Sequence, residues 1–187
     1  MAGLSIAGHG GGLAAPKRMT KLLIFLARRR VPIGFAAGVA VLWLARPTPR
    51  SLAIGGLVAG LGELVRIWAA GHLEKGREVT MSGPYRLTRH PLYLGSTMIG
   101  VGLAAASASL VVAVLIGLYL TVTLGAAIAT EEAHLTEKFG AAYPAYRQGR
   151  VAGVSRRFSA ARAIRNREYR AVLGLLAVLA LLSWKAL

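Results

Sequence analysis

The chain contains no cysteine and no aspartate. The first absence excludes disulfides, thiolate nucleophiles and Cys-ligated metal, and leaves the redox compartment unreadable. The second leaves 7 acids, all of them Glu, against 23 Lys and Arg, for a formal charge of +16. A Walker loop, a Ser-centred nucleophile elbow, zinc-finger spacing and a glycine-aromatic RNA-binding signature are also missing. Without them the basic charge does not point to nucleic acid, which is not an expected partner. His134 has Glu131 one turn away, but with no Cys and no Asp it makes no metal centre.

What is present is apolar: 55% of the 187 residues are hydrophobic and mean hydropathy is positive, too greasy for an ordinary soluble domain. The basic residues stand in blocks beside apolar runs, where anionic lipid headgroups would attract them. Residues 1–16 are Gly/Ala-rich without helical period and are expected as a flexible tail. Residues 17–30 mix Lys and Arg with an apolar stretch and predict a basic interfacial segment. Residues 31–187 predict one all-α membrane domain of four to five transmembrane helices, with its motifs between 60 and 150. Its spans are placed at Val31–Ala45, Ser51–Gly71, Pro91–Ala108, Leu110–Ala129 and Tyr169–Trp184, with a tight hairpin at Ser107-Ala108-Ser109. A signal peptide is disfavoured because Arg46-Pro47-Thr48-Pro49 is a poor cleavage site. With the N-terminus inside, 19 of the 23 Lys and Arg are cytoplasmic, so both polar segments described next are expected at the cytoplasmic face.

The first polar segment runs from Ala70 to Pro91. Pro91 disfavours helical geometry at His90 and suits a first helical turn, so Arg89 and His90 are expected at the mouth of the third span. Two readings stay open: an anion site built from the helix mouth and Arg89, or a headgroup anchor with His90 as cap. The second segment follows the fourth span and gathers Glu131, Glu132 and Glu137 within seven residues. Neighbouring helical residues point about 100° apart, so Glu131 and Glu132 cannot share a face. Either one of them holds a ligand ammonium or ribose hydroxyls and the other an Arg, or the acids complement the dipole in the first turn of an interfacial helix. Glu63 and Arg66 lie three apart within the second span, either as a buried pair or with Arg66 snorkelling to the surface. Gly60 and Gly62 allow a ligand close to backbone, or close helix packing. A pocket with cationic and anionic halves suits S-adenosylmethionine, whose carboxylate, ammonium and ribose diol match Arg/His and Glu.

Gly83-Pro84-Tyr85-Arg86, Arg89-His90-Pro91-Leu92-Tyr93-Leu94-Gly95, Glu131-Glu132, and Phe139-Gly140 with Tyr143 and Tyr146 resemble the isoprenylcysteine carboxyl methyltransferase and phospholipid methyltransferase superfamily, over Gly60 to Arg150. The resemblance implies an integral membrane enzyme whose C-terminal helices enclose S-adenosylmethionine, with a lipid tunnel open to the bilayer. It implies that His90, Tyr93, Glu131 and Glu132 touch the cofactor with Arg89 nearby, and it matches Gly60 and Gly62 to a glycine pair of the phospholipid branch. Tyr143, Tyr146 and Arg147 are left as substrate-side groups, with interfacial anchoring the alternative for the tyrosines. The isoprenylcysteine branch carries Arg four residues before the first motif Glu, where this chain has Ala127, so a prenylcysteine ester is not the expected product. The expected reaction is methyl transfer to a lipid-like or isoprenoid acceptor. An NADPH-dependent reductase with a related helical core and a non-catalytic membrane scaffold are the alternatives.

Overall fold

A computed structural model describes residues 29, 36, 38–74, 80–139 and 156–187. The expected tail, the basic segment apart from Arg29, the start of the first apolar run, and Tyr143, Tyr146 and Arg147 lie outside the described residues. Among those described, all regular structure is helical: a stretch over 38–44, then α1 (Pro49–His72), a 3₁₀ turn (Gly83–Arg86), α2 (Pro91–Ser107), α3 (Leu110–Phe139), α4 (Ala160–Arg165) and α5 (Tyr169–Lys185). By length and composition two described helices can cross a membrane, Pro49–His72 and Leu110–Glu137, and Pro91–Ser107 is a shorter apolar one.

Local chemistry sets the helix ends. Thr48 and Ser51 form a reciprocal capping box, with Ser51 N–H donating to Thr48 Oγ1 (3.1 Å) and Thr48 N–H to Ser51 Oγ (2.9 Å). Pro49 occupies the first turn, where its missing amide hydrogen costs nothing. Ser51 Oγ also donates to Ala106 O (3.0 Å), and Arg46 N–H to Ser107 O (2.8 Å), so the start of α1 satisfies the last carbonyls of α2. The α2–α3 hairpin turns at Ala108, in the left-handed region at φ 47°, as the sequence led us to expect.

α1 divides its circumference among α2, the C-terminal segment and an exposed face. Gly55, Ala59 and Gly62 lie against Gly95, Gly102 and Ala106 of α2 so closely that the two backbones touch: a Cβ on Gly55 would sit 2.3 Å from Ala106 N, and one on Gly102 2.4 Å from Ala59 N. Small residues permit this approach, the usual source of helix attraction where lipid removes the hydrophobic drive. Glu63, Arg66 and Ala70 turn toward the C-terminal segment. Leu57, Leu61, Leu64 and Trp68 recur at helical spacing on the remaining, exposed face.

α4 and its flanks close the end of α1. Asn166 Nδ2 donates to Ala70 O and Leu73 O (both 2.9 Å), Arg162 to Gly71 O (2.6 Å), and Ser159 N–H to Gly71 O (3.1 Å). These cover the carbonyls a helix C-terminus leaves unpaired and bring a cation to its negative pole. Arg162 also meets Glu74 at 2.8 Å.

Two readings that the sequence left open are closed. No separate interfacial helix starts at the acids; α3 runs unbroken for 30 residues, from Leu110 to Phe139. At about 1.5 Å per residue that is roughly 45 Å, longer than the ~30 Å hydrocarbon core, so its last turns project beyond it. Glu131, Glu132 and Glu137 therefore lie more than twenty residues into α3, and the first-turn reading falls. Arg66 does not snorkel; it reaches inward to Glu63, Ser96 and Glu168.

Candidate active site

The chain approaches the site through the 3₁₀ turn. Gly83, at φ 58°, places its backbone against the His72 ring, where any Cβ would come within 2.6 Å of Nδ1. Pro84 O then accepts Leu87 N–H (3.0 Å) and Thr88 N–H (3.1 Å), and Thr88 Oγ1 lies 3.4 Å from His90 N. This sequence of turns delivers His90 as the N-cap of α2 in a non-helical conformation, with Pro91 behind it. His90 thus takes the capping position, but its side chain accepts no hydrogen bond from the first turn. Pro91 has no amide hydrogen, and Tyr93 N–H already turns onto His90 O (3.1 Å). Side chains more than backbone must therefore attract an anion here.

The His90 imidazole is turned across to α3. Nε2 lies 3.2 Å from Glu132 Oε1, and because a carboxylate only accepts, Nε2 carries the hydrogen. Arg89 NH1 stands 3.8 Å from the same oxygen. Tyr93 packs its ring beside His90, centroids 5.7 Å apart and tilted 35°. The three side chains grade from inside to outside: His90 is 16% exposed, Glu132 25% and Arg89 47%. A carboxylate is thus held on one side by imidazole and guanidinium while the outer edge of Arg89 faces solvent. Such a mouth can take a zwitterion, an anionic group at Arg89 and a cationic or hydroxyl group at Glu132.

Residues 52–142 match the phospholipid methyltransferase family. This segment, just under half of the chain, is similar to that methyltransferase family. The match spans nearly all of α1, then α2, α3 and the mouth between them. Among curated proteins, the chain is 34% identical over 94 residues to the cobalt-zinc-cadmium resistance protein CzcN of Cupriavidus metallidurans, covering 49% of this chain and 44% of that protein. It is 29% identical over 140 residues to the nickel-cobalt-cadmium resistance protein NccN of Alcaligenes xylosoxydans xylosoxydans, covering 68% of this chain and 64% of that protein. The chain thus spans about half to two thirds of the length of these relatives. No solved structure matches it.

Against that family, the structure brings Arg89, His90, Tyr93 and Glu132 together and leaves the other expected cofactor residues apart. Glu131 points outward and is exposed, as the 100° step requires. Gly62 is filled by α2, with Gly95 O 2.7 Å from where its Cβ would stand, whereas Gly60 has open space around it. Glu168 was missed: it is 7% exposed and paired with Arg66. The signal was a lone acid in a basic run, 102 residues from an intramembrane Arg that needed a partner.

Proposed function

We propose that this chain transfers a methyl group from S-adenosylmethionine to a lipid-like or apolar acceptor at the cytoplasmic face of a membrane. The observation that carries this reading is the His90–Glu132 contact, which joins two separated motifs of a methyltransferase family, 42 residues apart, into one polar mouth. The residues suit the cofactor by charge and donor type. Arg89 would hold its carboxylate, Glu132 its ammonium or ribose hydroxyls, and the His90 and Tyr93 rings would flank it. When bound, S-adenosylmethionine supplies a methyl group on a sulfonium, open to displacement by a nucleophile. The protein's part is alignment and exclusion of water, and a site at the bilayer surface suits an acceptor that arrives from lipid. Exposed Arg157, Arg165, Arg167 and Arg170, beside exposed Phe158 and Ile164, would hold anionic lipid headgroups at about 1 kcal/mol per basic residue.

The test is calorimetric titration of S-adenosylmethionine into detergent-purified protein. Wild type should bind saturably, and His90→Ala and Glu132→Gln should each weaken binding tenfold or more. Glu131→Gln should change it much less, because that carboxylate faces away from the mouth. No binding by folded wild type in the presence of lipid would overturn the proposal in favour of a reductase or a scaffold.

A further inference from the structure

A second polar cluster lies inside the bundle, on a different side of α2 from the mouth. Ser96 is six residues beyond His90, which at 100° per residue places it about 240° around the helix and roughly 9 Å along it. His90 turns to α3, whereas Ser96 Oγ accepts a hydrogen bond from Arg66 of α1. The same guanidinium pairs with Glu168, just before α5, and stands 3.7 Å from Glu63. Glu63 is 5% exposed, yet neither of its carboxylate oxygens has a hydrogen-bond partner among the described residues.

Among the described residues two carboxylates share one guanidinium, so with both ionised the cluster would carry an excess negative charge in an apolar setting. Burying such a charge is expensive unless a positive group arrives with donors for the idle oxygens. Glu63 sits nine residues before the end of α1, about 13 Å in from that end. A water-soluble cation would have to cross apolar helices to reach it. A cation with a hydrocarbon tail would not: Leu57, Leu61 and Leu64 line the neighbouring exposed face, and the Arg66 side chain, one fifth exposed, marks the edge where the cluster meets the surroundings.

We propose that the Glu63–Arg66–Glu168 cluster binds the N–H-donating head of an amphiphilic organic cation, such as an alkylammonium, at a site separate from the methyl-transfer mouth. The cation lies against Glu63, donates to the oxygens that have no hydrogen-bond partner among the described residues, and holds that carboxyl in its ionised form beside Arg66.

Dodecylammonium titrated into the full chain in a neutral maltoside detergent tests this, with dodecanol and dodecyltrimethylammonium as controls lacking the charge or the N–H donors. Wild type should show saturable one-site binding to dodecylammonium, at least tenfold weaker binding to the quaternary analogue, and none to the alcohol. Glu63→Gln should lose at least tenfold in dodecylammonium affinity and keep its S-adenosylmethionine affinity, while Glu63→Asp should recover part of the loss. In wild type alone, dodecylammonium should raise the unfolding temperature relative to dodecanol, a readout that stands even if Glu63→Gln fails to fold. Equal affinity in wild type and Glu63→Gln, or no saturable binding and no thermal shift in wild type, would overturn the proposal and leave a bound proton as what neutralises Glu63. Because cofactor binding is read separately, failure here is distinguishable from failure of the methyltransferase reading.

Discussion

Adding one methyl group at Gly60 and at Gly62 should change stability in opposite directions. In a helix interior Gly→Ala gains up to about 1 kcal/mol from backbone propensity. At Gly60 nothing lies within 4 Å of the new Cβ, so that gain should appear almost whole. At Gly62 the Cβ would stand 2.7 Å from Gly95 O, 2.8 Å from Ile99 N and 2.8 Å from Met98 Cβ. The first two are backbone atoms and cannot rotate away. Restoring an ordinary contact near 3.5 Å requires α1 and α2 to part by roughly half an ångström or more. That loosens the neighbouring approaches at Gly55, Gly95 and Gly102 together. Overpacking of this kind costs about 1–3 kcal/mol, enough to outweigh the propensity gain. Thermal unfolding in detergent, followed by helical circular dichroism, should show Gly60→Ala at or above wild type and Gly62→Ala lower by several degrees, at about 2–4 °C per kcal/mol for a chain of this size. Shifts of the same sign at both positions would refute the backbone-contact reasoning. Titrating S-adenosylmethionine into the same two proteins adds a second readout. A stabilised Gly60→Ala that binds the cofactor more weakly would assign the open face of Gly60 to ligand.

Other substitutions probe the rest of the frame. Ala108→Gly should stabilise the chain by about 1 kcal/mol, because φ 47° strains an L-residue and not glycine; an unchanged or lower unfolding temperature would contradict this. Arg162→Ala should destabilise by about 1–3 kcal/mol, since it leaves the partly buried Glu74 carboxylate only the longer contact to exposed Arg165 (3.6 Å) and removes one of the two donors to Gly71 O; thermal unfolding within about 0.5 kcal/mol of wild type would show that the clasp beneath α1 is dispensable.

Much of the helical frame was legible because its signals are local. Apolar runs bounded by Pro49, Pro91 and the Ser107-Ala108-Ser109 turn gave α1, α2 and the hairpin nearly to the residue. The end of α3 was not legible in the same way. Glu131 and Glu132 look like the start of something polar, and composition alone cannot tell a new helix from a long one leaving the bilayer. The site was half legible: Pro91 fixes where His90 stands, but not which way the ring turns.

The sequence by itself determined that the chain is helical and apolar, that its charge gathers at helix ends, and that Arg89-His90 opens a helix. These follow from hydrophobic runs, proline geometry and spacing, which act over a few residues. Only the tertiary structure decided that Glu132 and not Glu131 meets His90, that Gly62 is consumed by packing while Gly60 is open, and that Arg66 is claimed by Glu168. Each of those outcomes depends on how helices are rotated against one another. A rotation of α3 by one residue, about 100°, would exchange Glu131 and Glu132, and the rotation of α1 that decides Gly62 and Arg66 is fixed by its contacts with α2 and the C-terminal segment.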